Sequence, residues 1–162
     1  MLKVTCDQSA NLKLLRRLEL EGGIELFAIS IEMMRQTGRI RPDHKQQPIA
    51  VWDSPHSTWD NAVFAPQDTA YSEIEEIIGK SNHADVLHLE GHISSGRDVF
   101  VTSDTDFLKH KDVIHQRFGA TIMTAEELER SLPSMLSGVS ETLCMRVSPC
   151  EFGGSFVEPF WV

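Results

Sequence analysis

Apolar residues recur along the chain with two periods, one suited to strands and one to helices. Leu2 to Cys6 reads as a short strand. Ala10 to Glu21 places Leu12, Leu15, Leu18 and Leu20 at near-helical spacing before Gly22-Gly23, a pair suited to ending a helix. Ile24 to Ile29 predicts a second strand, and Ile31 to Thr37 a short helix stopped by Gly38. From Arg39 to Asp68 the pattern fails: Pro42, Pro48, Pro55 and Pro66, with Trp52 and Trp59, punctuate a long connection. Connections of that length in compact domains are commonly functional or partly structured, so a flap is expected, with a strand at Ile49 to Trp52.

Helical spacing returns at Thr69 to Ile78 through Tyr71, Ile74 and Ile78, and again at Ala84 to Ser94, after the turn and cap residues Ser81-Asn82. Asp98 to Thr102 carries the continuous apolar run of a strand buried on both faces. A helix at Lys111 to Phe118, closed by Gly119, precedes a strand at Ala120 to Met123. Thr124 and Glu127 have capping-box spacing, which starts a last helix running to about Leu132, ahead of Pro133. Strands alternating with helices imply a three-layer α/β/α fold around a parallel sheet of about four to five strands. The expected organisation is a domain over 1–132, interrupted by the flap at about 39–68, and an extension over 133–162. The aromatic residues of that extension, Phe152, Phe156, Phe160 and Trp161, are expected to dock on the domain or on a partner.

A length of 162 residues suits one domain with its own core. The apolar runs fall far short of the ~20 residues of a membrane helix, and the start lacks the features of a secretory signal, so a cytoplasmic protein is expected. Cys6, Cys144 and Cys150 form no paired spacing, which argues against a disulfide framework and a four-cysteine zinc site. Cys6 reads as a small core residue. The formal net charge of −9 opposes nonspecific attraction to nucleic acid, so such a role needs a local basic patch or bound cations.

Ligands bind open parallel sheets beyond the carboxyl ends of the strands, near the point where strand order reverses. Asp7 ends the first predicted strand and Asp104 follows the buried strand, with Asp106 two residues on. Extended backbone would turn Asp104 and Asp106 to one side, and Asp85, opening the preceding helix, is placed to project over the same edge. Crowded carboxylates need a counter-ion. Oxygen donors suit Mg²⁺ or Mn²⁺, and the chemistry that follows is hydrolysis of a phosphodiester.

The stretch Asp85-Val86-Leu87-His88-Leu89-Glu90-Gly91-His92, then Gly96 to Leu108 with Thr102-Ser103-Asp104-Thr105-Asp106-Phe107, resembles the second half of a PIN domain. Val4-Thr5-Cys6-Asp7-Gln8-Ser9 is similar to that family's first strand, with its Asp and nearby hydroxyl. The resemblance covers roughly residues 2 to 132. It implies a Mg²⁺-dependent or Mn²⁺-dependent endoribonuclease, including the VapC-like toxins of bacterial toxin and antitoxin pairs. Asp7, Asp85, Asp104 and Asp106 are then the catalytic and metal-binding acids. Where the family places a Glu about six residues beyond a Ser like Ser30, this chain has Gln36, an uncharged amide; Glu32, one helical turn earlier, is the other candidate for that place. Expected partners are RNA, an antitoxin-like protein and a second copy of the chain in a homodimer.

His88 and His92 stand four apart on the helix of Asp85, but Glu90 is not where a zinc-protease motif needs its Glu, so hydrogen bonding or packing is the expected role. Arg35, Arg39, Arg41, His44 and Lys45 form a basic run, read either as a solvated loop or as an arm contacting phosphates. Ser9 and Thr102 join Arg35, Arg39, Arg41 and Lys45 as expected nucleic-acid contacts. Trp52 and Trp59 are candidates for base stacking. Two other functions compete with the nuclease. One is a PIN-like module, weakened by Gln36, that binds RNA or protein without cutting. The other, a sugar-nucleotide transferase using Asp104-Thr105-Asp106, rests on a short motif in a chain short for that fold.

Overall fold

The computed structural model describes residues 1–31, 40–50, 62–63, 70–79 and 82–144, with side chains through 136. Five parallel strands form one sheet in the order β3-β2-β1-β4-β5. In chain order the elements are β1 (Leu2–Cys6), α1 (Leu12–Leu20), β2 (Ile24–Ile29), β3 (Lys45–Gln46), α2 (Tyr71–Ile78), α3 (His83–Ser94), β4 (Val99–Val101), α4 (Thr105–Phe118), β5 (Thr121–Met123) and α5 (Ala125–Cys144). A 3-10 turn, Pro42–His44, leads into β3.

The period of two along the strands sorts side chains into two cores. Leu2, Val4 and Cys6 of β1, with Leu26, Val99 and Val101, pack against Leu15 and Leu18 of α1 and Leu128 and Leu132 of α5. On the other face Ile29, Phe100 and Ile122 pack against Ile74 of α2, Val86, Leu87 and Leu89 of α3, and Phe107 and Ile114 of α4. The result is three layers, α/β/α, as the alternation of elements predicts. Val4 pairs with Val99 and Cys6 with Val101, so β1 lies between β2 and β4 and the sheet's order reverses there.

Local sequence explains the helix ends. Gly22 takes a left-handed φ of 78°, which turns the following Gly23 N–H back to Leu18 O at 3.1 Å and closes α1. Thr124 Oγ1 accepts the Glu127 N–H at 3.2 Å, and Glu127 Oε2 accepts the Thr124 N–H at 2.9 Å, forming the expected capping box. Thr124→Ala is expected to cost about 1 kcal/mol, measured by urea unfolding. Gly91 brings α3 close to β2, since a Cβ there would lie 2.7 Å from Ile29 Cδ1.

Several boundaries differ from those expected. The helix placed at Lys111 begins at Thr105, because Asp104 caps it. The last helix does not stop before Pro133 but runs to Cys144 with Pro133 inside. Proline removes one hydrogen bond there and strains a turn without forcing the helix to end. The connection read as patternless holds β3, whose two polar edge residues carry no hydrophobic signature and are held through the backbone, as in Ser30 N–H to Gln46 O at 2.7 Å. Ile49 forms an isolated parallel bridge with Val63; the rest of the expected strand, Val51 and Trp52, lies outside the described residues. So do the helix of 32–37, Trp59, and the tail from residue 145. Among the described residues no helix is long and apolar enough to cross a membrane.

Candidate acidic site at the carboxyl edge of the sheet

Asp7 and Asp104 sit where the order of the sheet turns. Asp7 follows β1 and its N–H bonds Val101 O at 2.9 Å, extending the β1 and β4 pairing by one step. It continues the face of Thr5, so its side chain enters the layer of α3 rather than that of α1. The carboxylate is 6% exposed. Oδ1 takes a hydrogen bond from His88 Nδ1 at 2.8 Å, and Oδ2 lies 2.7 Å from Ser9 Oγ, 2.8 Å from Thr102 Oγ1 and 3.3 Å from the Ser9 N–H. Burial works to raise the Asp7 pKa, but the bond to and charge of His88 and the Ser9 and Thr102 hydroxyls outweigh it. They hold the carboxyl well below the usual carboxylate range.

The hydroxyls also bind the loop after β4. Ser9 Oγ accepts the Ser103 N–H at 2.9 Å and Thr102 Oγ1 accepts the Asp104 N–H at 3.0 Å. Thr102 is fully buried, which rules it out as the direct nucleic-acid contact expected from sequence; its hydroxyl serves Asp7 instead. Ser9 is exposed, with its hydroxyl committed to the same network.

Asp104 does not continue a strand. It is the N-cap of α4, with Oδ1 accepting the Asp106 N–H at 2.8 Å, and Asp106 lies in the first helical turn. The extended-backbone argument for turning these two acids to one side therefore fails. Asp106 is half exposed and accepts a hydrogen bond from Lys109 Nζ at 3.0 Å. Asp85 occupies the first turn of α3. Its pKa is pushed up to about 6, first by burial, then by the negative charges of Asp7 and Asp104 and more weakly Asp106, with His88 acting in the opposite sense. The four acids thus share one electrostatic field.

They do not form a closed ligand shell. Among the described residues no three His, Cys, Asp or Glu side chains gather closely enough to hold a metal ion. The donor chemistry still fits a hard divalent cation: hydrated Mg²⁺ needs only one or two carboxylates beside its waters, and the negative charges of Asp7 and Asp104, which add to burial in raising the Asp85 pKa, are what such a cation would neutralise. Glu32, Arg35, Gln36 and Arg39 lie outside the described residues. Arg41 turns away from the acids, since its Nη2 lies 3.8 Å from Glu19 Oε1 of α1, on the opposite layer. Lys45 stands on β3, two strands from β1.

In the sequence His88 shares the helical face of Asp85, and nothing local links it to Asp7. The spacing of three residues was the available signal. His92 takes the expected structural role: its Nδ1 lies 2.9 Å from Thr5 Oγ1, and burial, then the charge of Arg97, pushes its pKa down to about 4. Cys6 is buried beneath the sheet, as a core residue. Comparison of the chain with protein-family models, curated proteins and solved structures finds no match.

Proposed function

We propose that the protein is a cation-dependent endoribonuclease acting at the edge defined by Asp7, Asp85, Asp104 and Asp106. The observation that carries this reading is the placement of Asp7 directly after β1 and of Asp104 just after β4, at the reversal point of a parallel sheet, with Asp85 in the first turn of α3. Asp85, Asp104 and Asp106 are the residues that would hold Mg²⁺ or Mn²⁺. When bound, the cation supplies an activated water and charge neutralisation for phosphodiester hydrolysis. Asp7, ionised and buried, contributes negative charge and holds the loop that carries Asp104. Lys109 offers an ammonium beside Asp106 that can turn to a substrate phosphate. RNA as the substrate comes from the PIN-domain resemblance, as does an antitoxin-like inhibitor that would place an Arg or Lys among the acids.

The test is Mn²⁺-dependent cleavage of generic single-stranded RNA by the full chain. Asp104→Asn should lower it by ~100-fold or more, the scale on which single electrostatic groups act in hydrolytic sites. Equal cleavage by the variant would remove Asp104 from the reaction. A second reading, a PIN-like module that binds RNA or protein without cutting, is favoured by Gln36 at the family's Glu position and by the donors already filling Asp7. RNA binding with no cleavage in either protein would establish it instead.

A further inference from the structure

Asp7 is the acid that a ligand role suits least. The carboxylate is buried, and four donors meet it: the hydroxyls of Ser9 and Thr102 and the Ser9 N–H crowd Oδ2, and the ring nitrogen of His88 takes Oδ1. Two of these donors lead directly to the other acids. His88 lies three residues beyond Asp85, one turn along the same face of α3. Thr102 Oγ1 accepts the Asp104 N–H, and Asp104 in turn caps α4. A continuous path therefore runs from Asp85 through His88, Asp7 and Thr102 to Asp104, crossing from one acid-bearing helix to the other.

His88 is 2% exposed, and its Nε2 is buried with no hydrogen-bond partner among the described residues. Asp7 is acceptor-only when ionised, so the shared proton sits on Nδ1. A carboxylate, a histidine and a free second nitrogen also make up half of the arrangement by which proteins hold transition metals. The other half needs further ligands, and no third metal-binding side chain gathers with this pair among the described residues.

We propose that Asp7 and His88 are positioning residues, a buried clasp that sets Asp85 at the start of α3 against Asp104 at the start of α4, and that neither ligates the cation. What the clasp positions rests on the hydrolytic reading; the clasp itself does not. Three full-length proteins test it: wild type, His88→Leu, which keeps bulk and loses the donor, and His88→Asn, whose amide N–H stands near the place of the ring Nδ1–H. His88→Leu is expected to lower the urea midpoint and to reduce Mn²⁺-dependent RNA cleavage ~10–100-fold. His88→Asn is expected to restore most of both. In wild-type crystals soaked in Mn²⁺, the anomalous peak should lie at bonding distance, ~2.1 Å, from an oxygen of Asp85 or Asp104, and beyond bonding distance from Asp7 and His88 Nε2.

A Mn²⁺ ion bonded to Asp7 or to His88 Nε2 overturns the proposal. So does a His88→Asn protein that keeps the wild-type fold yet cleaves no better than His88→Leu. If wild type neither binds Mn²⁺ nor cleaves RNA, the hydrolytic reading fails, and the unfolding comparison alone decides the clasp. A midpoint lowered by Leu and restored by Asn then supports it, and three coincident unfolding curves refute it.

Discussion

Replacing Asp7 by alanine is expected to destabilise the protein by ~1–3 kcal/mol for each buried donor left without an acceptor. The Ser9 and Thr102 hydroxyls and His88 Nδ1 would all lose their acceptor inside the fold. The effect also has a pH signature. The Asp7 pKa is depressed in the folded protein relative to about 3.9 in an unfolded chain. Its contribution to stability is therefore fully present above about pH 4 and is lost as pH falls toward the folded value. Urea unfolding across acid pH should show wild type losing stability below about pH 4, with the Asp7→Ala slope shallower in that range. Parallel slopes would mean that Asp7 is not the ionised, paired group described above.

Asp85 should behave in the opposite sense, with stability and activity moving apart. Its folded pKa of about 6 is raised, so the fold disfavours the ionised form. Stability from this group is greatest below the unfolded value of about 3.9, falls as pH rises through about 6, and is level above that. Asp85→Asn removes the penalty. Without divalent cation the variant should be more stable than wild type at pH 7.5 by ~1 kcal/mol, a figure reduced for the screening of a half-exposed carboxylate. Cleavage should meanwhile fall by ~100-fold or more, and the stabilisation of wild type by Mn²⁺ should shrink. Such opposition between stability and function is usual where charges are crowded for a purpose. A variant less stable than wild type at pH 7.5, and equally responsive to Mn²⁺, would place the penalty and the cation elsewhere.

The two outcomes draw on different kinds of sequence information. Val99-Phe100-Val101 announced a strand buried on both faces, because a run with no polar break has no solvent side; Asp7 and Asp104 followed as residues beyond strand ends. The capping box at Thr124 was legible because both of its bonds lie within four residues. What was not legible depends on partners distant in sequence. His88 meets Asp7 across 81 positions and Thr102 meets it across 95, so neither bond leaves a local pattern. For Thr102 the sequence shows a hydroxyl near acids but not that the fold buries it. β3 has no hydrophobic signature because a two-residue polar edge strand is specified by its neighbour's backbone and by Arg97, which bonds Gln46 Oε1 from 51 positions away. Asp104 and Asp106 depart from extended chain because the capping Asp104 ends the strand and begins the helix within the same few residues.

The place of β1 between β2 and β4 bears on when the site can come into being. During synthesis β2 emerges soon after β1, and the pairing of Leu2 with Ile24 can form early. The pairing of Val4 with Val99 spans nearly the whole domain and waits for β4. At ~5–20 residues per second, Asp7 spends several seconds on the ribosome before Thr102, Asp104 and Asp106 exist to meet it. A nascent or truncated chain ending before β4 carries only Asp7 and Asp85 of the four acids, with no loop to bind the first. The cleavage proposed for this edge would therefore have to wait until β4 and the loop after it have been made.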